Sequence, residues 1–142
     1  MKSGKTGVKT DMKMVTIQEL TNSGLAIKSE KIKRAVLTAL ADSEMVKILD
    51  ATVYQSKSVI QIVRETGVSH TTAYRKIKWL VEEKLLIIDK TEITQDGKKF
   101  SLFRTILKSF NVKYEYNMVV IEAEQNLDTI RKITENFFSL SE

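Results

Sequence analysis

SVIQIVRETGVSHTTAYRKIKWLVEE, residues 58–83, holds two helical segments separated only by Gly67, Val68 and Ser69. The first segment supplies Val59, Ile60, Ile62 and Val63 as apolar residues. Gly67 can take the left-handed conformation that ends a helix, because it has no Cβ to clash. Val68 can then drop into the core, and Ser69 can cap the next helix with its hydroxyl. In that second helix Ala73, Ile77, Leu80 and Val81 follow one another at spacings of four, three and one, which trace a single face. A small residue at Ala73 lets the two helices cross closely, and the short turn fixes their angle. The stretch therefore predicts a helix-turn-helix.

The charges of the second helix run against its macrodipole. Arg75, Lys76 and Lys78 come early and Glu82 and Glu83 come last, whereas the dipole favours the reverse by roughly 0.3–1 kcal/mol per charge in the terminal turns. Counting 100° per residue from Ala73 places Thr71, Arg75, Lys78 and Glu82 opposite the core face, with Tyr74 beside them. Ser69, His70, Thr71 and Thr72 form the leading end. A cationic stripe alone is the mark of a solvated face. Here it sits on the second helix of a helix-turn-helix, which enters a major groove about 12 Å wide with its N-terminal end first. Arginine can bond guanine bidentately, threonine methyls can touch thymine, and a lysine can meet a phosphate. Ser69, His70, Thr71, Thr72, Tyr74, Arg75 and Lys78 are thus the candidate DNA-contacting residues.

Beyond the acids the periodicity changes. Residues 86–94 and 99–107 are β-rich and flank Gln95-Asp96-Gly97-Lys98, a hairpin signal. Lys98 and Lys99 at its tip could reach a minor groove or a backbone phosphate. Val112, Tyr114 and Tyr116 then alternate, Asn117 can turn the chain, and residues 118–123 form another apolar run. Upstream, Ser29 can cap a helix carrying Ile32, Val36, Leu37 and Leu40. Asp42 or Ser43 can cap another with Met45, Val46 and Leu49. Residues 52–56 read as a loop or short strand. Trp79, at the side of the second helix, reads as a packing residue; Phe100, Phe103 and Phe110 alternate badly, so core packing is their default reading and a dimer partner the alternative for some of them.

The last segment reads as a helix whose stripe of Leu127, Ile130, Phe137 and Phe138 must be buried. A fold-back onto its own domain and pairing with a second subunit both satisfy that need. The four residues are the candidate dimerisation set, and residues 31–40 offer another face. The fold class is α+β, mainly α: a winged helix-turn-helix with a β-hairpin wing, then a further β segment and helix. The expected division is a flexible basic arm at 1–15, a winged helix-turn-helix domain at 16–108, and a dimerisation element at 109–142.

Bulk properties agree with this plan. The chain has 142 residues and a net charge of +5, enough for one ordinary domain. Residues 1–42 hold 8 Lys/Arg against 4 Asp/Glu, residues 43–108 hold 12 against 8, and residues 109–142 hold 3 against 6. A basic front and an acidic tail suggest a polyanion partner at one end and another task at the other. No apolar run approaches the ~18 residues of a membrane span, and no secretory leader is evident. A cytoplasmic location is expected. With no cysteine and one histidine, neither a thiolate metal site nor a catalytic pairing for His70 can be assembled. No cofactor is expected, and no enzyme signature appears.

ALADSEMVKIL, GVSHTTAYRKIKWL and DGKKFSLFRTIL resemble the winged-helix regulators of the ArsR-like group, in particular the small archaeal ones, over about half of the chain. The resemblance implies a homodimeric transcription factor with residues 69–83 in the groove of double-stranded DNA. Lys84 departs from the pattern, which commonly has glycine before the first wing strand. The lack of cysteine departs from the metal-sensing members. A different reading of the same fold is a protein-interaction module in a transcription or replication assembly, with the acidic tail as its working surface.

Overall fold

Four helices and two antiparallel sheets make up residues 25–126, the part of the chain that the computed structural model describes. Residues 1–24 and 127–142 lie outside it, and with them the basic arm at 1–15 and the stripe of Leu127, Ile130, Phe137 and Phe138. In chain order come strand β1 (Leu25–Ala26), helix α1 (Glu30–Leu40) and helix α2 (Ser43–Ala51). Helices α3 (Val59–Thr66) and α4 (His70–Glu82) follow, then strands β2 (Leu86–Ile93), β3 (Lys99–Thr105), β4 (Leu107–Glu115) and β5 (Met118–Gln125). The class is mixed α+β. Strands rival helices among the described residues because β4 and β5 form one long hairpin.

Every helix starts on a side-chain cap. Ser29 Oγ accepts from Ile32 N, and Asp42 Oδ1 accepts from Glu44 N and Met45 N, both at 3.0 Å. Ser58 and Gln61 form a reciprocal capping box, and Ser69 Oγ accepts from Thr72 N. Each such cap is worth about 1 kcal/mol. Gly67 closes α3 at φ +77°, and its N–H donates to the Val63 carbonyl at 2.9 Å. Val68 is buried directly after it, as the turn requires.

Lys84 takes the left-handed conformation, at φ +70°, that a glycine would take without cost. Lys84 N donates to Val81 O at 3.1 Å and Leu85 N to Leu80 O at 2.9 Å, the bond pattern of a Schellman motif. Leu80 and Leu85 are both fully buried and meet across it. The turn therefore keeps its ordinary length although lysine replaces glycine.

The core lies beneath the helices and reaches the second sheet. Val36, Ala39, Ile48, Ile62, Ala73, Ile77, Leu80 and Leu86 share it with Ile121 of β5. Leu37 and Leu40, counted from spacing as core positions, are two-fifths exposed; Ala35 and Ala39 fill the α1 face instead. Ile60, grouped with the apolar residues of α3, is 60% exposed, because Ile62 turns inward there.

Strands β2 and β3 form the wing, in register from Leu86↔Thr105 to Ile93↔Lys99. Gly97, at φ +87°, sits in a loop where Gly97 N donates to Thr94 O, so the turn is longer than a two-residue Asp-Gly hairpin. The run read as 99–107 breaks at Ile106, whose N–H donates to Leu85 O, and Leu107 opens a new strand. The second sheet has strand order β1-β5-β4. Tyr116 and Asn117 both have positive φ and join β4 to β5 in a two-residue turn. The boundary expected between 108 and 109 falls inside β4, and β1, from before α1, completes the same sheet.

Candidate nucleic-acid interface

Helix α4 is held from below by its apolar face and from one side by an ion cluster. Ala73, Ile77 and Leu80 are buried, whereas His70, Thr71, Tyr74, Arg75, Lys78 and Glu82 are exposed. Thr72 is half-buried, and Ser69, although exposed, spends its hydroxyl on the cap. Arg75 and Lys78 form no ion pair with any described residue.

Lys76 does not belong to the cationic stripe. It is 9% exposed, and its Nζ donates to Asp42 Oδ2 at 2.6 Å and Glu44 Oε1 at 2.8 Å. Those two acids stand at the N-terminus of α2, where the helix dipole also favours them. The cluster ties the middle of α4 to the start of α2, so Asp42 both caps one helix and anchors another. Its hydrogen bond to Lys76 holds the Asp42 carboxyl below the usual carboxylate range, and hydrogen bonds to Asp42 and Glu44 push Lys76 above the usual amine range.

We expect Lys76→Met to destabilise the fold by about 1–2 kcal/mol at neutral pH, since its bonds are to charged groups but the acids still reach solvent. A carboxyl whose folded pKa is depressed stabilises above its unfolded value, near 3.8, and loses that contribution as pH falls through the folded value. A raised lysine stabilises below 10.5 and loses its part as pH climbs through the folded value. Urea unfolding of parent and variant should therefore differ between those limits and converge on the acid side below the lowered Asp42 value. Equal midpoints at neutral pH would contradict this account of the cluster.

An open groove of about 1330 Å³ runs between α4 and the wing. His70, Tyr74 and Lys78 line it from the helix and Lys98 and Lys99 from the wing. The geometry thus brings these five candidates together. Ser69, Thr71, Thr72 and Arg75 do not line it; Thr71 and Arg75 stand on the outer side of the exposed helix face. The wing loop is set by Thr94, whose Oγ1 accepts from Lys98 N at 3.0 Å and meets Asp96 Oδ1 at 2.5 Å. That contact with Thr94 lowers the Asp96 carboxyl pKa.

Sequence reading missed the groove's apolar floor. Ile60, Tyr54 and Ile88 line it and are more than half exposed. Ile88 sits next to a β-bulge, between Ile88 and Lys90, and bulges redirect side chains, a feature of strand pairing that the sequence alone does not announce. Acids share the groove too: Glu82, Asp89 and Glu92 lie beside Lys78, Lys90 and Lys98. The exposed cations stand at mid-helix, Arg75 and Lys78, and on the wing, Lys90, Lys98 and Lys99.

No group of three His, Cys, Asp or Glu among the described residues could hold a metal ion, and no described helix is long and apolar enough to cross a membrane.

Helices α3 and α4, the turn at Gly67 and the β2–β3 hairpin make this a winged helix-turn-helix fold. No protein-family model matches the chain, and no curated protein matches it. Among solved structures it is similar to the homodimeric winged helix-turn-helix DNA-binding domain of Mb0332 from Mycobacterium bovis, described as a possible ArsR-family transcriptional regulator. The identity is 24%, over 57% of this chain and 75% of that one, with a TM-score of 0.38. A likeness of that size adds nothing to the argument, and the fold rests on this chain's own geometry.

Proposed function

We propose that the protein is a sequence-specific, double-stranded-DNA-binding regulator of transcription that acts as a homodimer in the cytoplasm. Helix α4 enters the major groove by its N-terminal half. His70, Thr71, Tyr74 and Arg75 meet base edges, Lys78 meets a phosphate, and Lys98 and Lys99 place the wing on the backbone or in the minor groove. Ser69 and Thr72 complete the leading turn, Ser69 chiefly as its cap. The observation that carries this reading is the exposure of Thr71, Arg75 and Lys78 on the second helix, with both cations unpaired among the described residues.

We assign residues 16–108 to duplex contact and residues 109–142 to pairing of subunits, with Leu127, Ile130, Phe137 and Phe138 contributing there. The ArsR-like, archaeal character suggested by sequence remains part of this proposal. Contact with transcription machinery would use surfaces away from α4.

The apolar floor at Ile60 and Ile88, with three acids beside it, favours a second reading: a protein segment seated between helix and wing. Selection of bound fragments from a pool of random duplexes separates the two. A recovered palindrome with half-sites about one helical turn apart supports the regulator. Recovery of no enriched sequence at any salt concentration rejects it.

A further inference from the structure

Strand β4 is an edge strand, and its open side is unusually well formed. In the order β1-β5-β4 it has one neighbour among the described residues. Its bulge lies at the very start, between Leu107 and Ser109, so residues 109–115 run regularly. The chain contains no proline to block this edge.

The two-residue turn at Tyr116–Asn117 determines which backbone groups are free. In such a hairpin the flanking pair, Glu115↔Met118, exchanges both N–H···O bonds, and alternate pairs repeat the pattern. Ser109, Asn111, Lys113 and Glu115 therefore bond to β5. Phe110, Val112 and Tyr114 turn their N–H and C=O groups outward. Strand β5 supports the phase independently. The carbonyls that must face away from β4 do so: Ile121 O accepts from Ile27 N at 2.8 Å, and Val119 O accepts from Lys33 Nζ at 3.2 Å.

The same three residues carry apolar side chains on the face that Ile121 and Ala123 bury at the hairpin base. That face emerges into solvent toward the tip, where Val112 is 41% and Tyr114 69% exposed. A regular, apolar, unblocked edge is a template for another strand. The two edges of the β2–β3 sheet are guarded. Lys57 exchanges both backbone bonds with Phe103 on β3, at 3.0 and 2.8 Å. Strand β2 is bulged at Ile88/Lys90 and presents exposed Lys90 and Glu92.

We infer that two copies of the chain pair antiparallel along β4, with Val112 facing its counterpart on the two-fold axis. Only that register pairs all three outward residues with one another: Val112 with Val112, and Phe110 with Tyr114. On the opposite face it sets Lys113 against Asn111 and Ser109 against Glu115, so no like charges lie directly opposed. The two second sheets join into one, and an isologous interface of this kind closes at two subunits. This inference rests on the homodimer in the proposed function and identifies the surface that forms it.

The natural absence of cysteine makes the test direct. Residues opposed in a hydrogen-bonded antiparallel pair have Cα atoms about 5.5 Å apart, within the ~4.4–6.8 Å that a disulfide spans. Full-length Val112→Cys should cross-link to a covalent dimer under mild oxidation. Tyr114→Cys, which faces Phe110 of the other copy, and Lys47→Cys on α2 should not. Val112→Lys should keep the parent's melting behaviour and raise the dimer dissociation constant, read by sedimentation without DNA, by about 100-fold or more. A monomeric parent, a dimer whose Val112→Cys form resists cross-linking, or an undisturbed Val112→Lys dimer each overturns the inference. Because no DNA is present, these outcomes are separate from success or failure of duplex binding.

Discussion

Replacing Arg75 and Lys78 together by glutamate should lower affinity for duplex DNA by about 100-fold or more, since each lost contact is worth roughly 1–3 kcal/mol and repulsion is added. Both side chains are exposed and free of described ion pairs, so the melting temperature should stay within a degree or two of the parent's, as surface changes usually do. The proper control is Lys31→Glu with Lys47→Glu, two exposed lysines on α1 and α2. It imposes the same change of net charge elsewhere on the molecule. Placement, not total charge, should decide the outcome. Equal weakening by the two double variants, in a fluorescence-anisotropy titration, would mean that α4 has no special relation to the duplex.

Truncating Ile77 to alanine should produce the largest loss of stability. Ile77 is 2% exposed and sits on the buried side of α4 among Ile48, Ile62 and Leu86. Removing a buried isoleucine side chain costs about 2–5 kcal/mol, through lost transfer energy and the cavity left behind. A domain of this size holds only about 5–15 kcal/mol in all. Urea unfolding followed by circular dichroism should show a lower midpoint with an unchanged slope. A loss below about 1 kcal/mol would mean that α4 is not seated on the core as described. The two variants make a contrast across one helix: one side sets whether the fold stands, the other whether it grips a duplex.

How much of this was legible in the sequence follows from which signals are local. Caps and turns were readable because Ser29, Asp42, Gly67 and Ser69 act on their own neighbours within a few residues; the Ser58 cap acts as locally but was not read from the sequence. The register of α4 was readable because Ala73, Ile77 and Leu80 repeat at the helical period. Lys76 was not, because its partners Asp42 and Glu44 lie more than thirty residues away, and nothing in α4 announces them. Its inward turn leaves Arg75 and Lys78 as the cations that reach solvent from this helix.

Other misreadings share that origin. Leu37, Leu40 and Ile60 have core chemistry but point aside, since Ala35, Ala39 and Ile62 already fill the interior. Leu25–Ala26 is too short to register as a strand and exists because the outward groups of β5 receive it. Lys84 was flagged as a departure at a glycine position, and the turn accommodates it in the left-handed region at some cost in strain. Within the site, the joint placement of His70, Tyr74 and Lys78 with Lys98 and Lys99 depends on the angle between helix and wing. That angle is a property of the packed core and not of either segment.

The most direct test of the central claim is a titration of the parent protein with a random-sequence duplex across a range of salt concentrations. The account predicts saturable binding at low salt, weakening linearly on a log–log plot with a slope of about −0.9 for each phosphate neutralised. The Arg75/Lys78 double variant should show a shallower slope than the parent. A parent protein that fails to bind duplex at about 10⁻⁴ M and low salt, or binds with no dependence on salt, would contradict it.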